Sequence, residues 1–586
     1  MLAAIALSVL AAVAPSVAKA GALHVAPCTV AGVAAKCGTF TVYENRVTRH
    51  GRTIDLHFVV LKAKHPSGRA IVFNPGGPGA SAVAMAPDFA ADTGSAFARL
   101  RDRYDLLLVD NRGTGASAPQ NCDFAPPAHP ELYFAQLWPD SLVKACRAKL
   151  AAGADLNLYS TSVAADDLDD VRAALGYGKL VLFGGSYGTT FYLAYARQHP
   201  GHVESVILEG VAPPHFYLIP LPMAGGAQTS MNNLIAACST DARCSSHFPS
   251  LAQHFDALVH RFDRGPIDVP VRNAVTKQMQ TVALSKEVFT DTLRHVLYSP
   301  SQAAYVPVVI ERAYNGKYAP LASLINDNVQ EFAHILAAGL NLSVSCAEDN
   351  PFITESDVAR SSAGSFEGDL RVRAQQRACA IWHVRPVAHS FQDPVHSAAP
   401  ILMVSGSDDP ATPPQYAHKA LADLPNGRML LVKGASHDSD MPPCVWSLEV
   451  AFVRAASAKG LNFGNCAATY RRPSFHVLAL DESAPDENPA VTARVRTFVT
   501  ALLHAHLDRS QIGPALSNEL SDTVLKSVAS QAAQLGAMRT LIYKGGSTTP
   551  KGKTYRYVIT FENGDAEATM TVGSDHRIEM FDLTPL

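Results

Sequence analysis

Short runs of apolar residues recur along most of this chain, and the segments between several of them carry the spacing of amphipathic helices. Near-continuous hydrophobic strands that alternate with helices indicate a mostly parallel β-sheet covered on both faces. Between two of the runs, residues 166–175 carry apolar side chains on one helical face and stop at Gly176. The pattern therefore predicts the α/β class. The predicted strands lie at residues 55–61, 69–74, 104–110, 179–184, 203–209, 400–405 and 428–433.

The strand pattern is interrupted once and is followed by a different pattern, so that several structural units are expected. The 586 residues exceed what one hydrophobic core usually supports. Longer amphipathic stretches such as 285–298 and 322–340 predict a mainly helical insertion, a cap, between two strands of one sheet. Near the end, alternating segments with Asn563-Gly564 between two of them predict a small α+β domain. The predicted units are a signal peptide (1–20), a first core part (21–210), the cap (211–395), a second core part (396–472), a linker (473–489) and an accessory domain (490–586).

The N-terminus and the cysteines both indicate export. Residues 1–20 are almost wholly apolar and end in Ala18-Lys19-Ala20, the pattern that signal peptidase reads, although the missing charged n-region leaves an uncleaved anchor open. No later stretch reaches the ~18 apolar residues needed to span a bilayer, so a periplasmic or secreted mature chain is expected. Ten cysteines behind an export signal suggest five disulfides between sequence neighbours, with buried free thiols as the alternative.

Composition and charge exclude several classes of partner. Apolar residues make up 47% and charged residues 17% of the chain, which is typical of a packed globular protein. The formal net charge is −3, and no run of lysine and arginine is present, so neither nucleic acid nor an anionic membrane surface is expected as a partner. The sequence has no C-x-x-C pair and no Cys/His cluster with zinc spacing, so no metal or cofactor is expected.

Ser186 lies in a G-x-S-x-G motif that directly follows a predicted strand and precedes a predicted helix. A sharp turn from strand to helix leaves no room for side chains two residues before and after the serine, which explains Gly184 and Gly188. The turn points the serine hydroxyl outward and aims the N-terminus of the helix at any oxyanion that forms. The motif predicts a nucleophile, and an inert serine in a glycine turn is the alternative.

Two later loops offer the base and the acid that a serine nucleophile needs. Asp409 follows the sixth predicted strand and His437 follows the seventh. Both loops open at the sheet edge where the serine turn opens, which is where parallel sheets bind ligands. Asp408 and Glu209 stay open as rival acids, and a surface histidine and a helix-capping aspartate are the ordinary alternatives.

The glycine-rich segment 74–81, which follows the second predicted strand, is the candidate for a second oxyanion donor. Its three glycines allow bare backbone to approach a reacting carbonyl group. A glycine-proline turn without a ligand is the alternative.

Together these motifs resemble the exported branch of the proline iminopeptidase and tripeptidyl aminopeptidase group of α/β-hydrolases. The resemblance covers about half the chain, in the right order, and implies an α/β-hydrolase fold with an inserted mainly helical cap. It also implies that the Gly77 and Tyr187 N–H groups form an oxyanion hole and that Asp409, which precedes a proline, is the acid. The matching stretches are NPGGPGAS (74–81), VDNRGTGAS (109–117), YSTSVAADDLDDVRAALG (159–176), LFGGSYGTT (182–190), ILEGVAPP (207–214), SGSDDPATPP (405–414) and GASHDS (434–439).

The chain departs from the group at three places. Iminopeptidases have a histidine where this chain has Pro75, a change shared with the tripeptidyl branch. The histidine loop reads Ala-Ser-His-Asp where Gly-His-Gly is usual, and the tail from residue 490 has no counterpart in the short members. The resemblance also favours the five local disulfides, including Cys444 with Cys466, and a cap that recognises a free N-terminus.

An aminopeptidase must pair the α-ammonium group of its substrate with carboxylates in the cap. Glu348 and Asp349 are the best candidates because a disulfide at Cys346 would hold both acids in place, with a solvated acidic turn as the alternative. The sequence thus predicts a serine hydrolase that releases short N-terminal fragments from peptides with a free N-terminus through an acyl-enzyme. An exported esterase or lipase with the same triad and a binding protein on a degenerate hydrolase scaffold are the alternatives.

Overall fold

The structure is a computed structural model that describes residues 20–586, except 217–218, 277, 438–440, 477–485, 487, 533–534, 550–551, 562–564 and 586. Residues 1–19 of the predicted signal peptide, most of the predicted linker and the Asn563-Gly564 turn therefore lie outside the described residues. Within the described part, no helix combines the length and the apolarity that a membrane crossing requires.

A nine-stranded, mostly parallel sheet forms the centre of the molecule. Its strands are β1 (Leu23–Val30), β2 (Val33–Tyr43), β3 (Thr53–Leu61), β4 (Arg69–Asn74), β5 (Tyr104–Val109), β6 (Leu180–Gly185), β7 (Val203–Glu209), β10 (Ile401–Gly406) and β11 (Gly427–Val432). Their order in the sheet is β1-β2-β3-β5-β4-β6-β7-β10-β11. All pairs from β5 to β11 in this order are parallel, which confirms the predicted fold class.

The N-terminal side of the sheet differs from the prediction. The run at 55–61 lies in β3, which pairs antiparallel with β5, and two strands that precede it were not predicted. Strand β1 is an edge strand whose side chains are mostly exposed, so its sequence contains no apolar run from which a strand could be predicted. The antiparallel β1–β2 hairpin and β3 thus extend the parallel sheet at one edge.

Helices cover both faces of the sheet and form most of the cap. Alternate residues of β6 show the two faces, since Leu180 and Leu182 pack in one apolar cluster and Val181 and Phe183 pack in another. The helices are α1 (Ala86–Ala91), α2 (Ala96–Leu100), α3 (Pro130–Ala135), α4 (Asp140–Ala151), α5 (Thr161–Ala174), α6 (Tyr187–Gln198), α7 (Met223–Thr240), α8 (Ala242–His247), α9 (Leu251–Phe262), α10 (Lys286–Val296), α11 (Pro300–Ala303), α12 (Val306–Tyr314), α13 (Ala319–Ile335), α14 (Ala338–Glu348), α15 (Glu355–Ser362), α16 (Leu370–Trp382), α17 (Pro414–Ala420), α18 (Pro443–Ala455), α19 (Pro489–Leu503), α20 (Pro514–Glu519) and α21 (Asp522–Ala532).

The cap, residues 211–395, contains α7 to α16 and one antiparallel hairpin, β8 (Ile267–Arg272) with β9 (Met279–Leu284). The amphipathic stretch at 322–340 is not one helix, because α13 ends at Ile335 and α14 begins at Ala338. The break has a tertiary cause. Leu336 forms a β-bridge with Ala80, and the next amide donates to the Gly79 carbonyl (2.9 Å).

A small C-terminal domain packs beside the cap. Its antiparallel sheet contains β12 (Met538–Thr549), β13 (Gly552–Phe561), β14 (Asp565–Val572) and β15 (Ile578–Pro585), and α19 packs against it. Arg312 of α12 lies 3.4 Å from the Asp565 carboxylate. His476, which precedes the domain, stacks on Tyr305 of the cap with ring centroids 3.5 Å apart and lies 3.1 Å from the Glu567 carboxylate of β14. The predicted small α+β unit is therefore present at this end of the chain.

All ten cysteines lie in the described part of the chain and form five disulfides. The longest loop that any of them closes spans 33 residues in sequence. Each bond is thus a local link within one structural unit, as predicted. The pairs are Cys28–Cys37, Cys122–Cys146, Cys238–Cys244, Cys346–Cys379 and Cys444–Cys466.

Candidate active site

Ser186 lies in the sharp turn between β6 and α6. Its backbone has φ 53° and ψ −127°, a conformation that non-glycine residues rarely adopt and that concentrates at functional sites. A Cβ atom at Gly188 would lie 2.3 Å from the Asn74 carbonyl oxygen, and one at Gly184 would lie 2.5 Å from the Gly188 carbonyl oxygen. Both glycines are therefore required by close packing of the backbone, and the turn presents the serine at the N-terminus of α6.

Asp409 and His437 form a buried hydrogen-bonded pair. The His437 Nδ1 atom lies 2.9 Å from the Asp409 Oδ2 atom, and the two side chains are 7% and 1% exposed. The Asp409 carboxylate also accepts hydrogen bonds from the Ala411 and Thr412 amides (2.8 Å each) and from the Thr412 hydroxyl (2.6 Å). Burial alone would raise the pKa of the Asp409 carboxyl, but His437 and these donors hold it below its usual value. Asp409 is thus held as a carboxylate against the imidazole.

The structure brings His437 close to the strand end that holds Ser186. The Ser186 amide donates to the Glu209 carbonyl at the end of β7 (2.9 Å). The following residue, Gly210, approaches the imidazole so closely that a Cβ atom there would lie 3.2 Å from His437 Nδ1. Ser186, Asp409 and His437 therefore all lie at the carboxyl ends of the parallel strands β6, β10 and β11, and Gly210 after β7 lies between the serine turn and the imidazole.

Asp408, the adjacent rival acid, is engaged elsewhere. Its carboxylate accepts hydrogen bonds from Arg472 (2.9 Å) and Asn233 (3.0 Å) and from the Ser407 hydroxyl (2.8 Å). Asp408 therefore forms an ion pair with Arg472 and accepts two further hydrogen bonds from neutral groups. The contact with the imidazole belongs to Asp409.

Glu209, the second rival acid, faces a different partner. Its half-buried side chain lies beside Glu449 of α18, which is 1% exposed. Burial raises the pKa of both carboxyls, and the neighbouring Glu209 raises the pKa of Glu449 further. Two neighbouring carboxyl groups with raised pKa values tend to share a proton, so Glu209 is paired with Glu449. The described carboxylate contact of His437 is with Asp409 instead.

The glycine-rich segment 74–81 lies directly against the serine turn. A Cβ atom at Gly76 would lie 3.0 Å from the Tyr187 amide nitrogen and 3.1 Å from the Ser186 Cβ atom. The Gly76 amide donates to the Asn74 side chain (3.0 Å). In contrast, no described residue accepts a hydrogen bond from the Gly77 or Tyr187 amide. These two donors are the ones that remain available for an oxyanion.

The cap holds this glycine-rich segment in place, which the sequence did not indicate. The Ala337 amide donates to the Gly79 carbonyl (2.9 Å), and the Asn341 side chain donates to the Pro78 carbonyl (3.2 Å). The cap thus fixes the loop that carries the Gly77 amide.

Glu348 and Asp349 are both buried, so the alternative of a solvated acidic turn is wrong. The Glu348 carboxylate accepts two hydrogen bonds of 2.6 Å from the amide and the hydroxyl of Thr161, whose hydroxyl also lies 2.6 Å from the Tyr187 hydroxyl. Burial raises the pKa of Glu348 to about 7, although the Thr161 donors oppose this shift. Burial and the neighbouring Glu348 raise the pKa of Asp349 well above its usual value. Glu348 therefore caps α5, whereas no described residue donates to the Asp349 carboxylate.

Two residues at the site were not predicted from the sequence. Thr412 donates to Asp409 and lies 3.2 Å from His437 Nδ1, and Asp409 with its two following amides forms an Asx-type turn that could have signalled this role. Tyr298 of the cap lies with its ring centroid 4.9 Å from that of His437. Tyr298 is 139 residues from His437 in sequence, and no local sequence pattern predicts the contact.

One cluster has the donor atoms of a metal site but not the chemistry. Asp169, His199 and His202 could each place one ligand atom within 4.8 Å of the others. The Asp169 carboxylate, however, already accepts hydrogen bonds from Arg172 (2.7 Å), Tyr195 (2.8 Å) and His202 (2.7 Å). A dication there would have to displace these donors next to the Arg172 charge, so the cluster is better described as an ion-pair network.

Two family models match separate parts of this chain. A family model described as the alpha/beta hydrolase fold matches residues 69–255, and a second, described as TAP-like protein, matches residues 366–462. The first range contains Ser186, and the second contains Asp409 and His437.

Relatives that are similar in sequence include a serine protease, a tripeptidyl aminopeptidase and a proline iminopeptidase. The chain is 27% identical over 441 residues to a protein of Mycobacterium tuberculosis named Serine protease Hip1, across 69% of this chain and 81% of the relative. It is 32% identical over 201 residues to a tripeptidyl aminopeptidase of Streptomyces lividans, across 30% of this chain and 36% of the relative. It is 30% identical over 147 residues to a proline iminopeptidase of Neisseria meningitidis, across 25% of this chain and 34% of the relative.

Proposed function

The chain belongs to the proline iminopeptidase and tripeptidyl aminopeptidase group of α/β-hydrolases, and from this premise we propose that it is a serine aminopeptidase. It would release short N-terminal fragments from peptides through an acyl-enzyme, with Ser186 as nucleophile, His437 as base and Asp409 as acid. The observation that carries the proposal is the buried 2.9 Å contact between Asp409 and His437 at the sheet edge that presents the strained Ser186.

In the proposed acylation step, the Ser186 Oγ atom attacks the scissile carbonyl carbon while its proton passes to His437 Nε2. The contact of Nδ1 with Asp409 fixes the tautomer that leaves Nε2 as the accepting nitrogen. The oxyanion accepts hydrogen bonds from the Gly77 and Tyr187 amides, each worth about 3–4 kcal/mol in such sites. The C–N bond then breaks, and His437 returns the proton to the leaving amine.

Deacylation repeats the sequence with water in place of the serine. His437 takes a proton from a water molecule that attacks the acyl-enzyme carbonyl, and the same two amides stabilise the second oxyanion. The Ser186–acyl bond breaks, Ser186 Oγ regains its proton from His437, and the N-terminal fragment leaves as a carboxylate.

The proposal assigns recognition of the substrate α-ammonium to the two buried acids at the C-terminal end of α14, Glu348 and Asp349. Asp349 is the stronger candidate because no described residue donates to its carboxylate, whereas both oxygens of Glu348 already accept from Thr161. An arriving ammonium group would lower the raised pKa of Asp349 and pair with its charged form. Hydrogen bonds to charged groups contribute about 1.5–3 kcal/mol, enough for a tenfold or larger preference.

Export of the protein to the periplasm or the medium is part of the same proposal. Five disulfides support it, because such bonds form and persist in oxidising compartments and are rare in the cytosol.

Fluorogenic peptides with free and with acetylated N-termini test the aminopeptidase proposal. We expect kcat/KM for the free peptide to be at least about tenfold higher, because acetylation removes the charge that pairs with the acid. Asp349→Asn should reduce this ratio to below about threefold. Asp268→Asn, which changes an exposed acid in the β8–β9 hairpin of the cap, is the matched control and should keep the full ratio.

Other outcomes would redirect the proposal. Equal cleavage of free and acetylated peptides would mean an endopeptidase. Hydrolysis of p-nitrophenyl esters without cleavage of any peptide would mean an esterase with the same triad. A ratio that survives Asp349→Asn would place the ammonium site elsewhere.

A further inference from the structure

The cap contacts the loop that carries the histidine, at two consecutive residues. The Ser436 hydroxyl donates to the Leu297 carbonyl (2.6 Å), just after α10, and lies 3.1 Å from the Asp408 carbonyl. The next cap residue, Tyr298, places its ring 4.9 Å from the His437 ring, with the two planes inclined by 58°. The end of α10 thus packs on the base of the site as well as on the loop beneath it.

Tyr298 is itself held by a buried charge. Arg294 donates to the Tyr298 hydroxyl, and its guanidinium lies 5.5 Å from the centre of the tyrosine ring. The Arg294 side chain is 1% exposed and pairs with Asp291 and with Glu367 (3.4 Å). A buried arginine with this set of partners has few alternative positions, because any movement would leave a charge without compensation.

Within the described contacts of His437, Asp409, Thr412 and the Gly210 backbone lie at the Nδ1–Cε1 edge of the imidazole, whereas the Tyr298 ring packs against the His437 ring. A hydrogen bond at one nitrogen fixes that edge but restrains rotation of the plane only weakly. An aromatic ring packed against the imidazole adds this restraint. Misplacement of a reacting group by about 1 Å can lower a rate by about 10²-fold, so such a restraint has a catalytic consequence.

We propose that Tyr298 is a positioning residue that holds the His437 ring in its reactive orientation and is itself anchored by Arg294. The cap therefore contributes to proton transfer at the site and not only to substrate selection. The inference rests on the proposed function of His437 as base, and it holds for peptide and ester substrates alike because both need the same proton transfer.

Steady-state hydrolysis of p-nitrophenyl acetate tests this role, because a small ester needs little from the cap for binding. Tyr298→Leu should lower kcat at least about tenfold with KM changed less than twofold. Tyr298→Phe keeps the ring and loses only the hydroxyl contact with Arg294, so it should retain at least about a third of the wild-type kcat. Tyr133→Leu makes the same change at a buried tyrosine of α3 that packs in the apolar cluster of the cap and donates to Asn326 of α13 (2.9 Å), and it should leave kcat per folded molecule unchanged.

The proposal is overturned if folded Tyr298→Leu keeps the wild-type kcat, or if Tyr133→Leu lowers kcat equally, which would indicate general loosening of the cap. It is also overturned if Tyr298→Phe is as slow as Tyr298→Leu, because the ring would then not be the restraint. Failure of the underlying function would be seen separately, as ester hydrolysis by wild-type protein that His437→Ala does not reduce.

Discussion

The sheet edge that carries the active site, which is formed by the carboxyl ends of the parallel strands, and the cap both bury carboxylates, but they stabilise them in different ways. At the sheet edge, Asp409 accepts hydrogen bonds from Ala411 and Thr412 in its own loop, and its pKa lies below the usual value. In the cap, Glu348 meets Thr161, which is 187 residues away in sequence, and burial raises its pKa to about 7. The first arrangement fixes a permanent negative charge beside a base. The second keeps a carboxyl group whose charge depends on pH and on what binds beside it.

The largest effect should come from removing the nucleophile at the sheet edge. Ser186→Ala is expected to lower kcat/KM for any cleaved peptide by about four or more powers of ten, because the base and the acid cannot act without it. The melting temperature should stay within a few degrees of the wild-type value, since the side chain supports no apolar core. Hydrolysis rates and thermal unfolding of the same preparation give both results, and a variant that keeps more than a few percent of activity would contradict the assignment.

A second prediction separates two adjacent acids of the same loop. Asp409→Asn should lower kcat by about 10³–10⁴-fold, because an amide would stabilise the wrong tautomer of His437. Asp408→Asn should lower it less than tenfold, and it should instead reduce the free energy of unfolding because it weakens the ion pair with Arg472. Parallel kinetic and denaturant measurements check both variants. The interpretation fails if Asp408→Asn is the slower enzyme.

A smaller effect should appear in the pH dependence of stability, and it sharpens the contrast between Glu348 in the cap and Asp409 at the sheet edge. Because the pKa of Glu348 rises from 4.5 to about 7 on folding, the folded state binds more protons than the unfolded state. Its contribution to stability is full below about pH 4.5 and is lost as the pH rises through 7. Glu348→Gln should remove this pH-dependent change in the free energy of unfolding, which is on the order of a few kcal/mol, while keeping an acceptor for Thr161. Urea unfolding of both proteins from pH 4.5 to 8 measures the difference, and parallel curves would contradict the prediction.

Much of the sheet edge could be predicted because its determinants are local. Gly184 and Gly188 are needed within a few residues of Ser186, where a side chain would collide with backbone. The donors to Asp409 follow it by two and three residues, and consecutive parallel strands bring their carboxyl ends to one edge. Such features are visible in a short window of sequence.

The cap and the first strands were less predictable because their determinants are distant or weak. The break at Leu336 is caused by its pairing with Ala80, more than 250 residues earlier. The amphipathic pattern of residues 322–340 therefore did not predict that the helix ends there. The contact between Tyr298 and His437 likewise depends on how the cap is placed on the sheet. Strand β1 is exposed and therefore lacks an apolar signature, and the direction of β3 is set by the hairpin that precedes it.

Covalent labelling with a fluorophosphonate tests the central claim most directly, namely that Ser186, Asp409 and His437 act as one unit. The probe reacts only with a serine whose proton a neighbouring base removes, and it needs no knowledge of the substrate. We expect one label per chain, located on Ser186 by peptide mass mapping. His437→Ala and Asp409→Asn should label at least about 10²-fold more slowly, whereas Asp408→Asn should label within about threefold of the wild-type rate. A label on any other residue, or labelling of His437→Ala at the wild-type rate, would contradict the account.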